Sequence, residues 1–452
     1  MWTRRVKALL LGGVASLLLV SQLAAVTPEE AAKLKTTLTP LGAERAGNAD
    51  GTIPAWTGGI TTPMPGAHTG RLGDPFANDK PLFSITAKNM DKYADKLTDG
   101  IKAMLKKYPD YRLDVYKTVR SAATPQWYYD ATFKNATQVK LVTGGAGLMP
   151  TDVNAGLPFP IPKNGAEVMW NNTLRLAGHN YRSHTLGTLV AANGNAVLVQ
   201  DSIVDTERPL ATKDASSKEA GGDYQLIVVH NIGPPIREGE AIIGEQNIDD
   251  TKTNSWVYLI GQRRVRKLPN PCCDTPNPVS GGMMMFDEFY GFSGRMNRFD
   301  WKILGKKEIY IPYNTNRVLV PPKVSDVMGT HFMNPNSIRW ELHRVWVVEA
   351  DLAPGQRHQV HKGVYYVDED SWLVVFGDRW DSGGRLWKTI WTLPMVDAEL
   401  PAVTTESFGY YDLVSGTWFA MLQTGEAEQF KLMPAWPKNY FSPDTLSGGS
   451  LR

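Results

Sequence analysis

Five stretches of this 452-residue chain carry side chains of the kind that do chemistry. The DSGG segment at 381–384 sets Ser382 before two glycines, as in the nucleophile loop of serine proteases. A serine nucleophile needs a histidine held by a third group. No block here supplies one, and Gly383–Gly384 between Trp380 and Leu386 reads as a hairpin turn. YGFSGR at 290–295 misses the Gly-x-Ser-x-Gly elbow by one position and lacks its strand-then-helix setting. HQVH at 358–361 holds His358 and His361, which would converge on a helix face. Pro354–Gly355 precedes them and a strand pattern follows, and three positions apart on a strand is opposite faces. Zinc is therefore not expected there.

Asp368, Glu369 and Asp370 form a tight acidic group. Paired carboxylates do acid–base work when their environments push their pKa values apart. Three in one turn between strand patterns read instead as solvated turn formers, and the spacing of a calcium-binding EF-hand loop is absent. His343, inside a strand pattern, reads as a hydrogen-bonded structural histidine. No catalytic residue, metal or cofactor is expected.

The elements around these residues set the fold class. From about residue 180 apolar side chains alternate with polar ones, and turn residues recur every 8–12 positions. Strands are expected at 183–190, 195–203, 224–230, 255–260, 263–268, 300–312, 340–351, 363–368, 371–380 and 385–392. The stretch VYYVDEDSWLVVFGDRWDSGGRLWKTIW predicts an antiparallel meander. No strand–helix–strand alternation appears, which argues against a parallel nucleotide-binding sheet. Before residue 180 helices are expected at TPEEAAKL, capped by Thr27, at 86–108 with a break at Thr98–Gly100, and around Met169 and Trp170. A Gly/Pro-rich loop follows the first of these.

Residues 1–25 follow the plan of a secretory signal peptide: MWTRRVK, a 13-residue apolar run too short to span a membrane, then SQLAA. The expected organisation is therefore signal peptide 1–25, an N-terminal arm with helices at 26–165, and a β-rich domain at 166–452. Without Arg4, Arg5 and Lys7 the 48 basic residues fall to 45, against 46 acidic ones, a balance that argues against bulk nucleic-acid binding. Cys272 and Cys273 are adjacent, so they staple no fold; a vicinal disulfide and two free thiols both remain open.

SWVYLIGQRRVRKLP at 255–269 reads as a hairpin turning at Gly261–Gln262. Tyr258 would then face Val265 and Trp256 would face Lys267, while Val257 and Leu259 share the other face with Arg264 and Arg266. Arg263, Arg264 and Arg266 either meet an anionic headgroup or pair with acids such as Asp287 and Glu288.

Several blocks resemble one family. TPEEAAKLKTTLTPLGAERAGNADGTIPAWTGG, GLPFPIPKNGAEVMWN, WVYLIGQRRVRKLP, GRMNRFDWKILGKKEIYIPYN, RWELHRVWVVEADLAPGQRH, YYVDEDSWLVVFGDRWDSGGRLW and FSPDTL are similar to the domain-of-unknown-function family numbered 1329 of Gram-negative envelope proteins, a family labelled outer-membrane lipoprotein-sorting protein. A fainter resemblance, through the hairpin 256–266 and the meander 367–386, runs to the outer-membrane lipoprotein carriers. It implies an α+β, β-rich fold: a curved antiparallel half-open barrel closed by helices, with an apolar cavity for acyl chains. Asn172 departs from the family pattern, which has a histidine there, and the resemblance supplies no catalytic residues.

The expected function is that of a periplasmic carrier for a lipid or other hydrophobic molecule, acting without chemistry. Strand aromatics Trp256, Tyr258, Trp301, Tyr310, Trp346, Trp372, Phe376 and Trp380 are the candidate cavity wall, and Arg263, Arg264 and Arg266 the candidate headgroup contacts. The alternative is a docking partner of an outer-membrane barrel or an inner-membrane exporter.

Overall fold

In the computed structural model the described residues run from 25 to 447, without 63–72, 145–146, 269–272, 278–279, 322, 398 and 424–429. The expected signal peptide, apart from Ala25, lies outside them, as does Cys272. Cys273 is disulfide-bonded. No helix among the described residues is long and apolar enough to cross a membrane.

One large sheet dominates. Its strands are β1 Phe83–Ile85, β2 Leu113–Val115, β3 Asn180–Val190, β4 Ala196–Glu207, β5 Asp223–Gly233, β6 Ala241–Asn247, β7 Asn254–Leu259 and β8 Arg264–Lys267. They continue with β9 Phe299–Pro312, β10 Trp340–Leu352, β11 Lys362–Asp368, β12 Val374–Trp380, β13 Leu386–Thr392, β14 Phe408–Asp412, β15 Trp418–Leu422 and β16 Phe430–Leu432. The order across the sheet is β1-β2-β10-β11-β12-β13-β14-β15-β3-β4-β5-β6-β7-β8, with β9 also on β10 and β16 also on β3. Two antiparallel meanders, β3–β8 and β10–β15, are thus joined where β15 pairs with β3. The sheet curves without closing into a barrel, so the β-rich α+β class expected above holds.

Alternation along each strand builds two layers. On β11, Val364 and Tyr366 enter one core while Tyr365 and Val367 enter the other. The first core also holds Ile101, Met104 and Leu105 of helix α2, Asp99–Lys107. Thr98 caps this helix by accepting from the Ile101 amide at 3.1 Å, which makes the expected break after Leu97. Gly100 seats the helix on the sheet: its amide donates to Asp378 Oδ2 at 3.1 Å, and a Cβ there would lie 2.3 Å from Asp378 Oδ1. The second core holds Val168, Met169 and Trp170 of helix α4, Gly165–Leu174. Its face of the sheet is called the α4 face below.

Helix α3, Gln126–Gln138, also packs on this side and was not expected. Its buried positions include Thr132 and Asn135, so no apolar period marks it. Thr132 Oγ1 accepts from the Leu157 amide at 3.0 Å and Asn135 Nδ2 donates to Leu157 O at 3.1 Å. Helix α1, Pro28–Ala32, has the expected Thr27 cap, completed by Glu30 as a capping box.

Candidate functional site

The wing formed by β4–β8 differs on its two faces. On one, Trp256 and Tyr258 pack with Leu226, Val228, Ala241 and Ile243 beneath Trp436, Tyr440 and Phe441 of the C-terminal segment. Tyr440 donates to Asp205 Oδ2 at 2.5 Å and Trp436 Nε1 to Thr206 O at 3.2 Å, which fastens that segment down.

The other is the α4 face. Here a cross-strand row runs Val204, Val229, Ile242, Val257 and then Arg266, each opposite the next on the neighbouring strand. Ile227 stands beside this row on β5, and Leu259 stands opposite Arg264. Ile227, Val229, Ile242, Val257 and Leu259 are all half-buried, and none of them joins a hydrophobic core cluster of the described residues. The result is an apolar wall ending in cations on the outermost strand.

The hairpin register is the one its sequence implies: Tyr258 opposite Val265, Trp256 opposite Lys267. Its turn is longer than two residues. Ile260–Gln262 form a 3-10 turn closed by Arg263 in the left-handed region, at φ 49°. Arg263, Arg264 and Arg266 are exposed, and no described carboxylate lies within ion-pair distance of them. Asp287 and Glu288 are engaged elsewhere, at 2.8 Å from His358 Nε2 and 2.8 Å from Lys388 Nζ.

The eight candidate aromatics do not share one surface. Trp256 and Tyr258 lie under the C-terminal segment; Trp301, Trp346 and Trp372 belong to the α4-side core; Tyr310, Phe376 and Trp380 belong to the α2-side core. Strand alternation, reset by bulges at Ile303/Gly305 and Tyr366/Val367, sends them to both faces. The wall residues themselves were missed, because alternating aliphatics in strands look the same whether covered or bare.

At the inner end of the wall lies a small cleft, open to solvent, lined among others by Gln225, Gln246, Arg175, Arg208, Tyr290 and Glu406. Arg208 Nη1 donates to Arg175 O at 3.1 Å. Burial, with the Arg208 charge beside it, lowers the Arg175 pKa to about 10. Glu406 accepts from the Tyr290 hydroxyl at 3.0 Å, and burial raises its pKa to about 7.

The acidic turn is a correction. Asp368, Glu369 and Asp370 are 0%, 2% and 4% exposed, not solvated. The Arg120 guanidinium forks onto Asp370 at 2.8 and 2.7 Å, and Glu369 takes Arg344 at 2.8 Å and Lys306 at 2.8 Å. His343 is the structural histidine expected, with Nε2 3.0 Å from Glu341. His343, Asp368 and Asp370 could together face a metal ion, but Asp370 is already clamped by Arg120. Asn172 holds α4 to the sheet, its Oδ1 accepting from the Val374 amide at 3.0 Å.

An open, curved antiparallel sheet with helices on both faces defines the class. The chain belongs to the family described as "Protein of unknown function (DUF1329)", which it matches over residues 84–447. It is 41% identical over 421 residues to the uncharacterized protein PA3922 of Pseudomonas aeruginosa, a match spanning 92% of this chain and 91% of that one. Among solved structures it is similar to an outer-membrane lipoprotein-sorting protein domain from Vibrio parahaemolyticus, at 12% identity and TM-score 0.43 over 63% of this chain and 98% of that one. A DUF1329 family protein from Desulfovibrio piger is similar at 12% identity and TM-score 0.42, over 62% and 97%. A LolA superfamily protein from Nitrosomonas europaea is similar at 12% identity and TM-score 0.37, over 63% and 100%.

Proposed function

We propose that this protein is an exported carrier that holds the acyl chain of a lipid or similar hydrophobic molecule against the α4 face of its open wing, without covalent chemistry. The observation that carries the reading is the row Val204–Val229–Ile242–Val257, which lies outside the cores at its outer positions and ends in Arg266. Each buried methylene is worth about 0.8 kcal/mol, so a sixteen-carbon chain gains roughly 10 kcal/mol before ordering costs. Arg264 and Arg266, on the wall's own face, then meet the anionic head.

Native mass spectrometry with lipid extraction tests this on protein purified from periplasm without detergent. A defined co-purifying lipid mass is expected, and Ile242→Asp should remove it by charging the middle of the wall. A clean mass for the protein alone, unchanged on offering lipids, overturns the reading. Arg264→Ala should weaken binding of an anionic lipid about fivefold and leave a neutral one of equal chain length unchanged. Equal weakening of both removes the headgroup role.

A further inference from the structure

Eleven large hydrophobic side chains are exposed among the described residues, and five of them gather at one end of the wing: Val197 (56%), Leu198 (39%), Ile232 (48%), Ile236 (85%) and Ile260 (49%). The topology explains the gathering. The β3–β4, β5–β6 and β7–β8 turns all open at that end, because their strands are sequential antiparallel neighbours. Strand β4 runs past its neighbour: Asp201 is opposite Gly233, so Val197 and Leu198 extend beyond the end of β5. The next two turns touch, since a Cβ on Gly239 would lie 2.6 Å from Ile260 Cδ1. No described residue covers Ile236.

Charge accompanies the aliphatics. Arg263 and Arg264 close the β7–β8 turn, both exposed and without a described carboxylate in range. On the adjacent turn Arg237 is matched by Glu240 at 3.3 Å, and Glu238 is an exposed acid. The two turns therefore keep a surplus of positive charge beside isoleucines. Exposed aliphatics on loop tips beside the two exposed arginines suit the boundary of an anionic bilayer, where apolar tips enter between headgroups and cations meet phosphate.

We infer that this end of the wing, centred on Ile236, Ile260 and Arg263, is a docking surface for a membrane containing anionic lipid. The inference rests on the carrier reading and deepens it by placing the bilayer at the open end of the wall, but it is centred on residues outside the wall and has its own readout.

The experiment is flotation of the purified protein with vesicles of phosphatidylcholine alone and with 30% phosphatidylglycerol, at low and at 0.5 M salt. Binding to the anionic vesicles is expected, weakened by salt because charges at this surface are screened. Arg263→Ala should weaken it about fivefold and Ile236→Asp at least tenfold. Ile236 is nearly free of the fold, so its variant should keep the wild-type melting curve; Ile260→Ser is the second variant should it not. The inference is overturned if the wild type floats with neither vesicle, or if Ile236→Asp and Ile260→Ser float as well as it does. Cargo found by native mass spectrometry would survive that outcome, so the two readings fail separately.

Discussion

Arg120→Met should lower the free energy of unfolding by about 3–5 kcal/mol, the largest single effect expected at a residue outside the hydrophobic cores. Arg120 is 6% exposed and joins two parts of the chain far apart in sequence. Its Nε and Nη2 grip Asp370 at 2.8 and 2.7 Å, while the same guanidinium donates to the carbonyls of Glu44 at 2.8 Å and Arg45 at 3.3 Å in the N-terminal arm. Met fills similar volume but leaves Asp370 buried and unpaired, with Glu369 close by. Removing one partner of a buried pair costs more than the pair contributes, because the other charge loses both water and partner. Urea denaturation followed by tryptophan fluorescence measures it. A loss under 1 kcal/mol would show that solvent reaches Asp370 readily, and that the arm is held by other contacts.

The second large effect is on pH. Burial raises Asp378 and Asp397 to about 6 and Glu406 to about 7. All three folded values lie above those of the unfolded chain, near 4, so the native state binds more protons between about pH 4 and 7. Their contribution to stability is fully present below about pH 4 and is lost as pH rises through 6 to 7. The native protein should thus be more stable at pH 5.5 than at pH 8 by several kcal/mol. Glu406→Gln isolates one of the three. The amide keeps an acceptor for Tyr290 and cannot ionise, so at pH 8 it should stabilise by roughly 3 kcal/mol, at about 1.4 kcal/mol per pKa unit. At pH 5 the variant and the wild type should differ little. Denaturation midpoints across pH 5–8 read both slopes, and a difference that does not grow with pH refutes the burial of an ionisable Glu406.

Much of the architecture was legible in the sequence, for local reasons. The Thr27 cap and the break at Thr98 depend on groups within a few residues of each. The β7–β8 register follows from alternation around a Gly-containing turn, and the β11–β13 meander from two short polar turns. What could not be read depends on partners distant in the chain. Asp368–Asp370 look like a solvated turn until Arg120, Arg344, Lys306 and the arm fold over them. Strands β1, β2, β6, β14, β15 and β16 were missed, and α3 hid because it buries Thr132 and Asn135 rather than an apolar stripe. Seven of the eight candidate aromatics do lie on strands, while Trp372 stands in the turn before β12 at φ 62°, and their faces depend on bulges that leave little trace in residue type.

The outermost strand has one more consequence. An unclosed sheet ends in a row of unsatisfied amides and carbonyls, a template on which a second chain can add itself. Here that boundary is Arg264–Val265–Arg266–Lys267, four residues of which three carry like charge. A second copy approaching edge to edge would set these cations against their own kind, so like-charge repulsion disfavours strand addition at this edge of a sheet that does not close.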